Sequence, residues 1–154
     1  MLAVDLRKLI QSTLTPLNLY STNAEELLMA TCANESNLGE YRTQIHGPAR
    51  GIFQMEGEDF DDIWKNYLHY KPELAAKIMS NNNGKQGTVD DLINNDAYAI
   101  AMCRVHYLRS PGSLPPSTDI EQIWNYYKLH YNTPQGGARH DEFIKKYNLY
   151  VLNK

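Results

Sequence analysis

Disulfides, membrane spans and metal motifs are all scarce or missing in this chain, and each shortage removes a class of protein. There are two cysteines in 154 residues, Cys32 and Cys103, too few for a disulfide framework. Both fall within apolar helical patterns and read as small buried hydrophobes. No apolar run approaches the ~18 residues of a membrane-crossing helix, so no membrane insertion is expected. Neither charge sign dominates: 15 Lys and Arg against 18 Asp and Glu leave −3. That balance argues against nucleic acid or an anionic membrane as the main partner. The five histidines form no HExxH pattern and no CxxC pair exists, so neither a metal nor another cofactor is expected. Asn81 to Gly87, NNNGKQG, lacks the spacing of a phosphate-binding loop. The opening MLAVDLRKLI meets Asp5, Arg7 and Lys8 too early for the apolar stretch of an export signal, which predicts a soluble chain without a signal peptide. Strand-like alternation is also rare.

Helix signals, by contrast, recur from end to end. With 42% apolar and 21% charged residues, residues 1–154 have the composition of one ordinary globular domain that buries its own core. Leu6, Ile10 and Leu14 line one face of a first helix over about 4–14, ahead of Pro16. Thr22 with Glu25, and later Thr118 with Glu121, have the spacing of capping boxes. Glu58 to Tyr70 is amphipathic, Pro72 sits where a helix accepts proline, and Thr88 with Asp91 opens another helical stretch. Asp96 to Arg109 is the most apolar segment and is expected to form the central buried helix. A last helix is expected from about His140 to Tyr147. Trp64 and Trp124 recur at helical spacing beside isoleucines, which assigns both to the core. The reading is an all-α, compact, single-domain fold.

One residue breaks the pattern of the second helix. Leu28, Cys32 and Glu35 follow at four- and three-residue steps, so a glutamate lies on or beside the core-facing stripe. A desolvated carboxyl has a raised pKa, and a carboxyl still protonated near neutrality is what a general acid requires. The plainer reading is that Glu35 turns outward at the helix end and meets water.

The residues around it carry more. Glu35 is followed directly by Ser36, then by an irregular segment, then by the turn Gly51-Ile52-Phe53-Gln54-Met55. Further on come His106-Tyr107-Leu108 and Tyr131-Asn132 with Gly136 and Gly137. In this order and spacing the elements resemble the soluble lytic transglycosylase family. Its signature is Glu-Ser at a helix end, a Gly-Leu-Met-Gln-like turn, a Tyr-Leu element and a Tyr-Asn-Ala-Gly element. The resemblance covers about residues 22–147. Pro48 stands where the family has glycine, Phe53 replaces a common methionine, and Thr133-Pro134-Gln135 departs from the last element.

The resemblance implies a goose-type lysozyme-like helical fold acting on bacterial peptidoglycan strands. In such enzymes one glutamate protonates the glycosidic oxygen between N-acetylmuramic acid (MurNAc) and N-acetylglucosamine (GlcNAc). It then serves as base for the muramic 6-hydroxyl, closing a 1,6-anhydro ring without water. Glu35 matches that position. By the same carry-over Tyr107 would orient Glu35, Ser36 and Gln54 would line the cleft, and the Gly51 turn would let backbone approach the glycan. Phe53 and Met55 would touch sugar faces, and Tyr131 and Asn132 would shape the far wall. By residue type alone, Phe53 and Met55 read as core, and Tyr107 as an ordinary buried tyrosine. Acidic residues from Glu56 to Asp62 are explained by a helix N-terminus, with a second catalytic carboxylate and a hydrolytic, lysozyme-type reaction as the alternative. A catalytically inactive glycan-binding or structural virion component is a third reading. The small size and missing export signal fit a bacteriophage product. It would sit in the virion beside other phage proteins, or pass from the host cytoplasm to the cell wall for lysis.

Overall fold

Helices account for the whole architecture of the computed structural model, which describes residues 1–44 and 46–153. Among the described residues seven α-helices follow one another: α1 (Ala3–Leu14), α2 (Thr22–Ser36), α3 (Gly57–Asn66), α4 (Pro72–Met79), α5 (Asp96–Leu108), α6 (Ile120–Tyr127) and α7 (His140–Lys146). Among the described residues the only β-type pairing is two isolated bridges, Thr43 with Arg50 and Arg50 with Met55. The all-α reading therefore stands.

The periodic stripes predict what is buried. Leu6, Ile10 and Leu14 are fully enclosed where α1 packs on α2 and α5. Helix α5 is buried continuously from Tyr98 to Tyr107, as its composition requires of a helix enclosed on all sides. Helix α2 shares that central position, being buried from Ala24 to Ala33. Cys32 and Cys103 are free and buried. Trp64 lies in the core, while Trp124 packs at its edge between Tyr127, His140 and Phe143.

Two helix starts differ from expectation by one residue. Ser21, not Thr22, caps α2 by accepting the Ala24 N–H, and Asp119, not Thr118, caps α6 by accepting that of Gln122. In each case an equally able cap lies next door, and the residue whose backbone stays extended takes the role. Thr88 and Asp91 do form a reciprocal capping box, though it opens only a single 3-10 turn, Val89–Leu92. The amphipathic stretch to Tyr70 breaks at Tyr67, whose backbone leaves the helical region before a short 3-10 turn.

Glu25 is absent from any cap because α1 claims it. The Arg7 guanidinium donates to Glu25 at 2.8 Å and to Glu26 at 2.7 and 3.1 Å. Gln11 and Tyr20 also donate to Glu25, and Tyr147 donates to Glu26. One cation thus joins α1 to two nearly buried carboxylates of α2 and, through Tyr147, to the last turn of the chain. Burial opposes ionisation of Glu25, but the hydrogen bonds from Gln11, Arg7 and Tyr20 outweigh it and hold its pKa below the ordinary value.

Two helices widen at their ends. After α6, residues Lys128–Asn132 form a π turn, and after α7 so do Tyr147–Val151. Such turns add a residue to the helical repeat and are frequent at functional sites. The first of them carries Tyr131 and Asn132.

Candidate active-site groove

Glu35 lies in the last full turn of α2. The helix stops two residues later because Asn37 adopts the left-handed conformation (φ 53°), with its N–H on the Ala33 carbonyl and the Leu38 N–H on that of Cys32. The segment beyond doubles back on itself. Arg50 and Met55 exchange both backbone hydrogen bonds, and Arg42 anchors the segment to α5 through Asp96 at 2.5 and 3.0 Å. This fold-back contributes to the lining of a groove of ≈ 920 Å³, near the upper end of small-ligand pockets (about 300–1,000 Å³). Gln54, Met55 and Glu56 of the fold-back line it, together with Glu35 of α2 and Tyr131, Asn132 and Thr133.

The Glu35 carboxyl is held, not loose. The Tyr127 hydroxyl donates to it in a very short hydrogen bond and in turn accepts one from Asn34 Nδ2 at 2.9 Å. Burial pushes the carboxyl's pKa up to about 7; the Tyr127 hydrogen bond and the Lys146 charge work against that rise, and the Glu56 carboxylate adds to it. Lys146 is positioned by its own hydrogen bond to the Asn34 carbonyl at 3.2 Å. Near neutrality Glu35 is thus divided between acid and conjugate base, the condition for giving up a proton and taking one back.

Five of the nine residues singled out in the sequence meet at this groove: Glu35, Gln54, Met55, Tyr131 and Asn132. Gln54 reaches it with a left-handed backbone (φ 51°) and its amide nitrogen on the Gly51 carbonyl at 2.8 Å. Met55 is almost wholly buried, so it forms part of the wall more than an exposed contact. Asn132 has a mainly internal role. Its Oδ1 accepts from Lys128 Nζ at 2.8 Å, and the same ammonium donates to the carbonyls of Gly136 and Ala138. Lys128 thereby closes the loop that the unusual Thr133-Pro134-Gln135 sequence builds. Thr133 occupies a backbone region (φ 79°, ψ 152°) normally left to glycine, storing about 1–3 kcal/mol of strain at the groove edge.

The other four are placed elsewhere. Tyr107 does not touch Glu35: Thr31 spends its one proton on the Leu27 carbonyl, so the Tyr107 hydroxyl donates to Thr31 at 2.8 Å, deep in the core. Tyr127, one helix further on, takes the orienting role expected of it. Ser36 is fully buried and does not line the groove; it donates to the Ile52 carbonyl at 2.6 Å and accepts the Gly39 N–H, fastening the fold-back to the helix end. Phe53 is core, its carbonyl accepting the Tyr131 hydroxyl at 2.6 Å.

Gly51 serves packing rather than a ligand. With φ at 79°, a Cβ there would lie 2.8 Å from the Leu92 carbonyl oxygen. Gly51→Ala should therefore lose about 1–3 kcal/mol and lower the urea midpoint; an unchanged midpoint would mean that the Leu92 turn yields.

Sequence reasoning missed Tyr127 and Lys146 as neighbours of the site, whereas Glu56 and Asp59, weighed there as second carboxylates, do line the groove. For Tyr127 a signal existed, since it stands four residues before Tyr131 on the inner face of α6, and the two rings stack at 5.9 Å. Tyr127→Phe removes a charge-assisted hydrogen bond worth about 1.5–3 kcal/mol, so turnover at this groove should fall about 10- to 100-fold. Because that bond favours the carboxylate, its loss should move the alkaline limb of the pH–rate profile upward. A profile left in place would remove Tyr127 from the site.

A second depression, ≈ 450 Å³, runs along α7 between Arg139, Lys145 and Tyr150. Asp141 and Glu142 share its lining with three cations, so all but one of its charges are offset. No family model, no curated protein and no solved structure matches the chain.

Proposed function

We propose that the protein is a peptidoglycan lytic transglycosylase that cleaves the β-1,4 bond between MurNAc and GlcNAc. The observation that carries this reading is the Glu35 carboxyl, burial-raised to about 7 and held by Tyr127 in an open groove. Protonated Glu35 would donate to the glycosidic oxygen as the bond to the muramic C1 breaks, with the substrate's own N-acetyl group stabilising the positive charge at C1. The carboxylate so formed would remove the proton of the muramic 6-hydroxyl as that oxygen bonds to C1. The products are a GlcNAc-ended strand and a 1,6-anhydro-MurNAc end, and Glu35 returns to its starting form. One carboxyl thus does what paired acids do in most glycosidases.

A specific observation favours a second reading. Glu56 and Asp59 line the same groove, although both stand at the start of α3, where acidic residues are stabilised by the helix N-terminus. A carboxylate that activates water would give hydrolysis and a reducing MurNAc end. Mass spectrometry of digested cell wall separates the two, since anhydro products are lighter by one water. Reducing ends throughout would replace transglycosylation by hydrolysis, and no digestion at all would leave a glycan-binding or structural role.

A peptidoglycan substrate would suit a place in bacteriophage infection. The protein would act in genome entry, within the virion and beside other virion proteins, or in host lysis. Proteomics of purified particles would distinguish them, absence from particles removing the virion role.

A further inference from the structure

Away from the groove, the interior contains a cation with no carboxylate beside it. Arg104 is 8% exposed on α5, and its Nε donates to the Leu19 carbonyl at 3.0 Å. Its Nη1 is buried and meets no acceptor, and the hydroxyl of Tyr126 on α6 is likewise buried and unpartnered. The two are neighbours. Tyr107 lies one helical turn from Arg104 on the same face of α5, and its ring packs on that of Tyr126 at 5.7 Å. Among the described residues the ion pairs engage Arg7, Arg42, Arg50 and Arg109 but not Arg104. The groups that act on it electrostatically are Tyr126, Cys103 and Tyr67, none of them a carboxylate.

We propose that Arg104 and Tyr126 form a buried binding site for one small monovalent anion, a halide such as chloride. A guanidinium keeps its charge in proteins, and a desolvated charge without a counter-charge is costly. Burial accordingly pulls the Arg104 pKa down. Water could satisfy the orphaned N–H and hydroxyl, but it would leave the charge uncompensated. A polyvalent oxyanion needs more positive charge and more donors than this spot offers. One charge and two unpartnered donors on neighbouring residues suit a single compact anion, which would join the Leu19 segment, α5 and α6. The site stands whatever chemistry the groove performs.

The test uses the full chain. Thermal unfolding is followed in sodium chloride and in sodium gluconate at matched ionic strength, and crystals soaked in sodium bromide are measured at the bromine edge. At ten times its Kd, chloride should shift the unfolding equilibrium about elevenfold and raise Tm by about 3–6 °C. Bromide should give an anomalous peak between Arg104 Nη1 and the Tyr126 hydroxyl. Arg104→Met should abolish the chloride response; if that variant does not fold, Tyr126→Phe, which removes only one donor, should weaken it. Equal melting in the two salts, a water in place of the bromide peak, or a chloride response that survives in the folded Met variant would each overturn the proposal.

Discussion

Glu35→Gln should abolish cell-wall clearing, by at least about 10³-fold, because one general acid–base group contributes about 10²–10⁴ and this one is asked to act in both steps. The amide keeps the shape and an oxygen for the Tyr127 hydroxyl, so the groove should persist while the chemistry stops. On the proposed mechanism the parent's activity requires protonated Glu35 and should decline as pH rises through about 7. Stability supplies an independent readout. A carboxyl whose folded pKa is raised stabilises the fold fully below its unfolded pKa, near 4.5, and that contribution is lost as pH climbs to about 7. The loss should be about 1–3 kcal/mol, since the groove leaves the carboxyl some access to water. The Gln variant has no such titration, so its urea midpoint should stay level across this window and exceed the parent's at pH 8. Parallel pH–stability curves would mean that Glu35 is solvated in the folded state. Equal clearing by variant and parent would remove it from catalysis.

The largest stability loss is expected from Arg7→Ala. It leaves Glu25 and Glu26, each with a side chain about a tenth exposed, facing one another without their cation. Breaking a buried ion pair from one side costs about 3–5 kcal/mol. Arg7 itself is partly exposed, which places the effect near the lower end and predicts a fall in Tm of about 6–12 °C. The deficit should depend on pH. Glu25 is held below its ordinary pKa in the parent, so its contribution is present above about pH 4.5 and is lost on acidification. The two proteins should therefore converge in acid and differ most at neutral pH. A small, pH-independent deficit would show that water takes over from the guanidinium.

What could be read from the sequence was what is local. The Leu6–Ile10–Leu14 face, the enclosed α5 and the place of Pro72 follow from a 3.6-residue repeat and from ring geometry, neither of which needs a partner elsewhere. Cap positions slipped by one where two polar residues stood side by side. Glu35 was legible because a carboxyl on an apolar stripe is anomalous wherever the chain goes. Its orienting partner was not. Tyr107 and Tyr127 are both buried tyrosines on apolar helices, and only the packing of α6 against α2 decides which hydroxyl arrives. The same limit explains Ser36, Gly51 and Phe53. Each is consumed by a distant partner instead: Ser36 by the Ile52 carbonyl, Gly51 by the close approach of Leu92, and the Phe53 carbonyl by the Tyr131 hydroxyl.

The π turn after α6 imposes a restriction of a different kind. Tyr131 reaches the Phe53 carbonyl only because Lys128–Asn132 holds one residue more than an ordinary helical turn. Each residue of a helix accounts for about 100° of rotation, so deleting any one between Lys128 and Tyr131 would swing the ring away from the Phe53 carbonyl and detach the Lys128 tether from its loop. Homologues that kept this groove would be free to vary the side chains of the segment, but gaps in an alignment should avoid it.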